Sequence, residues 1–246
     1  MFYYIIELTK DTGGIKFLTK TKEMLGELGI AGEMVVPTSA RPVEELTQIG
    51  LEKGYSTIVA IGSARLVNKI AAILQNLHEV ALGIVPTDKA SPLHNLIGSR
   101  DVDSALQIII KRQVKYVDLA VIEPNKFFLT KAQIFTPKPV NINFQIDDKI
   151  KGAAIVDEIT IHSDLRTELK KSENEGFLKK ITSTFTHNEA KLNVSEFFPR
   201  NKVEITTLRP LPVIIDKEIV AKTPIYITTR SQVLKIIANN DIIKPK

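Results

Sequence analysis

The residues best placed to bind an anion lie in the segment from Thr57 to Ile70. Thr57 to Ile61 is a near-continuous apolar run, which is typical of a strand buried on both faces, and Leu66 begins a helical pattern. Gly62 and Ser63 form the turn between them, where an α/β protein often binds phosphate through backbone N–H groups at the start of a helix. Such a loop normally uses several glycines for close approach, and Gly62 is the single glycine here. The segment therefore predicts the frame of a phosphate loop with reduced phosphate-binding capacity.

Composition limits the chemistry that remains. The chain has 246 residues, 43% of them hydrophobic and 25% charged, which predicts a globular protein of one large or two ordinary domains. The absence of cysteine excludes disulfides, thiolate catalysis and thiolate metal ligands, and four scattered histidines do not favour a histidine-built metal site. No metal-ligating residue is therefore predicted. Any catalysis must use carboxylates, hydroxyls or amines.

Charge and hydropathy suggest a location and a class of partner. No apolar run is long enough to span a bilayer, and the N-terminus lacks a basic region followed by a cleavage site, so we expect a cytoplasmic protein. The net charge of +5 permits weak attraction to anionic lipid head groups or to nucleic acid. Because the basic residues are spread along the chain, no specific nucleic-acid partner is predicted. A lipid or anionic membrane surface and a homo-oligomer remain open as partners.

The first half of the chain alternates strands with helices, which predicts a Rossmann-like, mostly parallel sheet covered on both faces. Thr38 or Ser39 is a candidate N-cap for the second helix. The predicted elements are a strand Phe2 to Leu8, a helix Ile15 to Leu28, a strand Met34 to Val36, a helix Pro42 to Lys53, a strand Thr57 to Ile61, a helix Leu66 to Leu77, a strand Val80 to Val85, a helix Val102 to Lys111 and a strand Lys115 to Ile122.

After residue 123 the pattern becomes predominantly β, as in a β-sandwich. The predicted domains are therefore residues 1–122 and 123–246, with turns at Asp147-Asp148 and Asp216-Lys217. A Lys- and Glu-rich helical pattern interrupts the strands between Leu165 and Thr186. The predicted strands are Phe127 to Phe135, Val140 to Ile146, Ala153 to His162, Val203 to Thr207, Val213 to Ile215 and Pro224 to Thr228.

The turn at Gly62, together with Leu82-Gly83-Ile84-Val85-Pro86 and the segment Leu208 to Glu218, resembles the diacylglycerol kinase catalytic-domain family of bacterial lipid kinases, which is distantly related to NAD kinases. The resemblance covers most of the chain. It implies an ATP- and Mg²⁺-dependent phosphoryl transfer to a lipid hydroxyl, and a C-terminal segment near residues 230–238 that packs back on the first domain.

The family's nucleotide-binding motifs are poorly retained. Where the family has GGDGT followed by LNE, setting Asn68 on the family's asparagine matches Gly62 but replaces the aspartate with Ala64 and the threonine with Leu66. Arg65 could compensate by bidentate phosphate contact, although a surface arginine at a helix start is the plainer interpretation. By the same resemblance Ser63 and Asn68 also belong to this nucleotide site. We therefore do not expect an efficient kinase.

Two further segments carry the rest of the expected nucleotide site. After Pro86 the family has GTGND, and this chain has Asp88 to Pro92, in which Lys89 could reach a phosphate as a point charge or be an ordinary loop lysine. Thr38 stands where the family has a threonine near the nucleotide. The resemblance therefore adds Thr38 and Lys89 to the candidate nucleotide-binding residues.

The third segment is better retained. The family's DGE motif corresponds to Asp216-Lys217-Glu218, which keeps both carboxylates. The resemblance implies that Glu218 takes the proton of the acceptor hydroxyl and that Asp216 accompanies it, whereas an ordinary polar turn is the alternative. The leading hypothesis is a lipid kinase-like protein with weak or no phosphoryl transfer. A non-catalytic binding or scaffold protein is the first alternative, and an NAD-kinase-like enzyme is the second.

Overall fold

The structure is a computed structural model that describes residues 1–8, 13–171 and 194–239. The chain divides into two compact units, unit 1 from Met1–Val117 together with Ser231–Lys246, and unit 2 from Asp118–Arg230. Unit 1 is α/β and unit 2 is built from antiparallel strands, so the mixed α/β fold class predicted from the sequence is confirmed.

Unit 1 contains all five helices of the described residues. Its elements are β1 (Phe2–Ile6), α1 (Gly13–Glu27), β2 (Glu33–Val35), α2 (Val43–Glu52), β3 (Thr57–Gly62), α3 (Ala64–Leu74), β4 (Ala81–Pro86), α4 (Leu93–Ile97), α5 (Val102–Lys111) and the first part of β5 (Val114–Ile122).

The sheet of unit 1 is parallel, with the strand order β2-β1-β3-β4. Tyr4 pairs with Met34 on one side and with Val59 on the other, so β1 lies between β2 and β3. The chain runs outward from β1 to β2 and then returns to the other side of β1 to form β3. In open α/β sheets, ligands usually bind near such a reversal, outside the carboxyl ends of the strands.

Burial and capping explain why these elements form. Every residue of β3 and of β4 is buried, as expected for strands covered on both faces. Helix α5 begins at Asp101, whose carboxylate accepts the Ser104 N–H at 2.8 Å while the Ser104 hydroxyl accepts the Asp101 N–H at 3.0 Å. This reciprocal capping box satisfies donors that a helix start otherwise leaves unpaired.

Unit 2 is formed by strands. They are the remainder of β5, β6 (Lys126–Phe128), β7 (Lys131–Ile146), β8 (Ile150–His162), β9 (Thr167–Lys170), β10 (Val194–Phe197), β11 (Lys202–Thr207), β12 (Pro212–Ile215), β13 (Glu218–Lys222) and the first part of β14 (Ile225–Ile237). In unit 1, Ile236 of β14 pairs in parallel with Leu82 of β4.

The strands of unit 2 follow the order β10-β9-β8-β7-β11-β14, and β12 pairs with both β7 and β13. The long hairpin of β7 and β8 turns at Asp147 and Asp148, whose φ angles of 50° and 58° fit the left-handed turn that the sequence predicts there. One hydrophobic cluster fills this unit, including Phe128, Ile134 and Ile205. Both units therefore have a core of their own.

Several predicted elements differ from the structure. The segment Phe127 to Phe135 is broken at Leu129 and Thr130, and its second half joins the predicted strand Val140 to Ile146 as the single strand β7. The predicted helical pattern between Leu165 and Thr186 is wrong at Thr167–Lys170, which forms β9 because it pairs with β8. Its remainder beyond residue 171 lies outside the described residues. The short helix α4 was not predicted.

Candidate functional site

The turn after β3 presents the backbone that could bind an anion. Ser63 is the N-cap of α3, with extended φ and ψ of −76° and 164°, and its hydroxyl accepts the Leu66 N–H at 3.4 Å. That distance makes the contact weak. The Val67 N–H is already bonded to the Ser63 carbonyl at 3.2 Å. The Ser63 N–H, at the N-cap, is a further backbone donor at this turn.

The Ser63 N–H is occupied by a side chain of the protein itself. Glu7, just after β1, accepts this hydrogen bond on its Oε2 at 2.8 Å, while the Glu7 N–H donates to the Ile61 carbonyl at 2.9 Å. A carboxylate at a helix N-terminus interacts favourably with the free N–H groups and with the helix dipole. Glu7 therefore occupies the position where a bound phosphate would accept the same hydrogen bond.

Gly62 makes the approach of Glu7 feasible. A Cβ atom at Gly62 would lie 2.7 Å from the Cβ of Glu7 and 2.9 Å from both Glu7 Oε2 and Leu66 Cδ2. These distances are too short for any side chain. The one glycine of the turn therefore accommodates an internal carboxylate.

A cavity of about 260 Å³ opens beside this contact, beyond the carboxyl ends of β1 and β2. Its apolar wall and its charged groups come from the two strand ends, from the first turn of α2 and from the first two turns of α3. The residues that line it are Glu7, Leu8, Val36, Pro37, Val43, Arg65, Leu66 and Lys69.

The charges around the cavity are partly paired. The Lys69 Nζ lies 2.9 Å from the Glu44 Oε1. Partial burial of Glu44 opposes its ionisation, but the hydrogen bond from Lys69 and the positive charge of Arg65 help to hold the pKa of Glu44 below its usual value. Lys69 is therefore already paired with a carboxylate. The cavity lining contains both negative and positive side chains, Glu7 on one hand and Arg65 and Lys69 on the other.

Among the residues predicted for the nucleotide site, Gly62, Ser63 and Arg65 lie at this turn, and Arg65 is exposed. Asn68 is 6% exposed in the middle of α3. Thr38 is exposed outside the cavity lining, and its hydroxyl accepts the Arg41 N–H at 3.0 Å. The expected N-cap at Thr38 or Ser39 is wrong, because α2 has Pro42 as its N-cap and Thr38 closes its own turn instead.

The loop after β4 is held by its own contacts. The Asp88 carboxylate accepts the Ala90 N–H at 2.9 Å, and Lys89 is exposed. His94 is 5% exposed and lies 3.2 Å from the Asp88 carbonyl through Nε2 and 2.7 Å from the Ser99 hydroxyl through Nδ1. Since a carbonyl can only accept, Nε2 carries the proton and Nδ1 accepts from Ser99.

Asp216 and Glu218 lie in the β12–β13 hairpin of unit 2. Asp216 and Lys217 have positive φ angles of 49° and 70°, which give a tight turn, and Ile215 pairs with Glu218 across it. The Thr130 hydroxyl donates to the Asp216 Oδ1 at 3.3 Å, and Glu218 is exposed. The predicted polar turn is present.

Sequence reasoning missed Glu7 and His94. Glu7 was detectable in principle, because it is the first charged residue after the apolar run of β1 and because residues at the carboxyl ends of neighbouring parallel strands meet. No sequence signal distinguishes His94 from an exposed histidine.

The implied cofactors can be tested against this geometry. Within residues 1–8, 13–171 and 194–239, no group of three or more His, Asp or Glu side chains is arranged to hold a metal ion. A phosphate that accepted the Ser63 N–H would place its charge beside the Glu7 carboxylate. The described turn therefore does not fit an ATP phosphate unless Glu7 moves.

In the described part of the chain, no helix is both long and apolar enough to cross a membrane. No protein-family model matches the chain, and no curated protein matches it.

The fold itself has clear counterparts among solved structures. A diacylglycerol kinase from Bacillus anthracis is 16% identical with a TM-score of 0.73, and a putative diacylglycerol kinase from the same organism is 15% identical with a TM-score of 0.74. Each match covers 98% of this chain and 98% of the other. An NAD kinase from Archaeoglobus fulgidus in complex with ATP is 13% identical with a TM-score of 0.52, over 98% of this chain and 94% of that one. At these sequence identities the likeness shows a shared fold. The fold resemblance to diacylglycerol kinases that was inferred from the sequence is therefore confirmed.

Proposed function

We propose that this protein has the diacylglycerol kinase fold but acts as a non-catalytic binding protein, without transfer of phosphate from ATP to a lipid hydroxyl. One observation carries the proposal. The Glu7 Oε2 accepts the Ser63 N–H at 2.8 Å, so an internal carboxylate occupies one of the backbone donors of the turn and places a negative charge beside the others.

Electrostatics supports this assignment. Two unit charges about 4 Å apart repel by about 1 kcal/mol in water and by about 4 kcal/mol near a protein surface. The N–H groups and dipole of one helix favour an anion by only about 0.3 to 1 kcal/mol. The Glu7 carboxylate therefore opposes a second anion more strongly than the helix attracts one.

The side chains of the turn add to the difficulty. On the resemblance given above, Ala64 replaces an aspartate and Leu66 replaces a threonine, and neither has an oxygen for Mg²⁺ or for a phosphate contact. Loss of one preorganised electrostatic group commonly costs about 2.7 to 4 kcal/mol of barrier. Replacing both groups while adding Glu7 argues against efficient phosphoryl transfer.

A weak lipid kinase is the second candidate, because the hairpin that carries Asp216 and Glu218 is retained. In that case Glu218, which is exposed at the start of β13, would accept the proton of the acceptor hydroxyl. This role is testable through Glu218→Gln, which should abolish any transfer while leaving the fold intact. An NAD-kinase-like activity has less support, because on the resemblance given above it also requires the aspartate that Ala64 replaces.

Phosphoryl transfer and nucleotide binding can be measured separately. We expect no transfer of radiolabelled γ-phosphate from ATP with Mg²⁺ to diacylglycerol in mixed micelles. We also expect no rise in melting temperature with ATP, ADP and Mg²⁺, whereas a ligand at about 100 times its Kd would stabilise the fold by about 2.7 kcal/mol. Turnover in the ordinary kinase range of about 1 to 100 s⁻¹ that is lost in Glu218→Gln would overturn the proposal.

A further inference from the structure

An exposed apolar corner of unit 2 has no role in the function proposed above. It is formed by Leu208, Arg209, Pro210, Lys222 and Pro224, all of them exposed, and we call it the Leu208 corner. Leu208 is 97% exposed, the highest value among the large hydrophobic side chains of the described residues.

The corner is held in place by hydrogen bonds. The Thr207 hydroxyl donates to the Arg209 carbonyl at 2.7 Å, which closes the turn around Leu208. Thr223 is 2% exposed, and it binds Leu211 twice, through its hydroxyl at 2.8 Å and through its N–H at 2.9 Å. The Thr223 hydroxyl also contacts that of Thr207. Thr223 thus fixes both ends of the turn, and its sequence neighbours Lys222 and Pro224 flank it.

Both charged side chains of the corner are positive. Arg209 and Lys222 are the charged residues of the segments 207–212 and 220–224. Within the described part of the chain, the structure gives neither the Arg209 guanidinium nor the Lys222 ammonium an ion-pair or hydrogen-bond partner. The corner therefore combines an exposed apolar tip with two uncompensated positive charges.

We propose that the Leu208 corner docks on an anionic lipid bilayer. Leu208 would enter the boundary between head groups and acyl chains, while Arg209 and Lys222 would remain at the level of the lipid phosphates. A protein partner fits less well, because a stable protein interface buries roughly 1,200 to 2,000 Å² and a protruding tip of a few side chains offers far less. One leucine with two cations gives weak, reversible attachment.

The other exposed apolar side chains provide a control. Ile219 is 65% exposed near the start of β13, outside the Leu208 corner, and follows directly on the acidic Glu218. Ile219→Ser therefore removes exposed apolar surface that does not belong to the Leu208 corner. Because Leu208 and Ile219 bury so little of their own surface, both substitutions should leave the unfolding midpoint unchanged.

The test is co-sedimentation of the full chain with phosphatidylcholine vesicles, with and without phosphatidylglycerol, in the absence of nucleotide. We expect the protein to sediment with the phosphatidylglycerol vesicles and to be released by salt. Leu208→Ser should weaken this binding roughly ten-fold, and Arg209→Gln with Lys222→Gln should weaken it about five-fold per charge. Ile219→Ser should bind like the natural protein.

Several outcomes would overturn the inference. They are absence of binding to phosphatidylglycerol vesicles, equal losses in Leu208→Ser and Ile219→Ser, and a dimer in light scattering that Leu208→Ser dissociates, since a second copy would then cover the corner. Because no nucleotide is present, any of these results leaves the proposal about phosphoryl transfer unaffected.

Discussion

Replacing Glu7 with glutamine tests whether an internal carboxylate closes the turn after β3. In the natural protein the Ser63 nitrogen lies 2.8 Å from the Glu7 Oε2. The substitution keeps a side-chain oxygen that can accept this N–H and removes the negative charge. We expect Glu7→Gln to bind pyrophosphate and ATP more tightly than the natural protein, because an entering phosphate no longer meets a carboxylate at the same donor.

The size of the gain follows from the repulsion that is removed. At about 4 Å it amounts to about 1 kcal/mol in water and about 4 kcal/mol near a protein surface. Glu7 is only partly buried, so the lower half of this range applies, about 1 to 2.5 kcal/mol, which corresponds to a gain of about 5- to 70-fold in affinity. A charge-assisted hydrogen bond becomes a neutral one, so the free energy of unfolding should fall by about 1 kcal/mol.

Isothermal titration with pyrophosphate and ATP at low ionic strength measures this gain. Glu52→Gln is the matched control, because it removes the same charge from an exposed position at the far end of α2. If Glu7→Gln and Glu52→Gln bind anions equally, Glu7 does not close the turn. Tighter binding by the natural protein than by Glu7→Gln would refute the reasoning outright, since Glu7 would then assist the ligand.

Three further substitutions test the geometry around these sites. Gly62→Ala should destabilise the fold by about 1 to 3 kcal/mol in urea unfolding, because the new Cβ would lie 2.7 Å from the Cβ of Glu7; an unchanged midpoint would contradict this packing. Thr223→Val should cost about 1 to 2 kcal/mol, because the partly buried Leu211 N–H loses its acceptor at 2.8 Å. A stability equal to that of the natural protein would argue against this bond. Partial burial opposes ionisation of Asp147, but the N–H groups of Arg200, Asn201 and Lys202 hold its pKa below the usual value. Asp147→Asn should therefore lower the free energy of unfolding by about 1 kcal/mol at neutral pH. The difference should shrink as the pH falls below about 4, because a lowered carboxyl pKa stabilises the fold only while the group is ionised. A difference that persists in acid would disprove this origin.

Local patterns were sufficient for most of the elements of unit 1. The apolar runs at Thr57 and Val80 became the fully buried strands β3 and β4, and the predicted helix Val102 to Lys111 has those bounds in the structure. The patterns were sufficient because the spacing of apolar residues along each of these segments shows which face is buried, and that spacing differs between a helix and a strand.

Prediction failed where pairing partners decide the structure. Thr167–Lys170 begins the Lys- and Glu-rich stretch from which a helix was predicted, yet it forms β9, with Thr167 and Leu169 buried, because β8 and β10 lie on either side of it. The backbone hydrogen bonds of a strand are made with residues that are distant in sequence. The sequence of the strand itself is therefore a weak predictor of its conformation. The merging of two predicted strands into β7 has the same cause, since β8 pairs along most of its length.

By itself, the sequence determined the α/β class, the turn at Gly62 and the lipid kinase resemblance, because each depends on residues close together in the chain. Only the tertiary structure decided what the turn holds. Glu7 and Ser63 lie far apart in sequence, and their contact exists because β1 and β3 are neighbours in a parallel sheet. The turn that first indicated a phosphate site is thereby filled by a carboxylate of the protein itself.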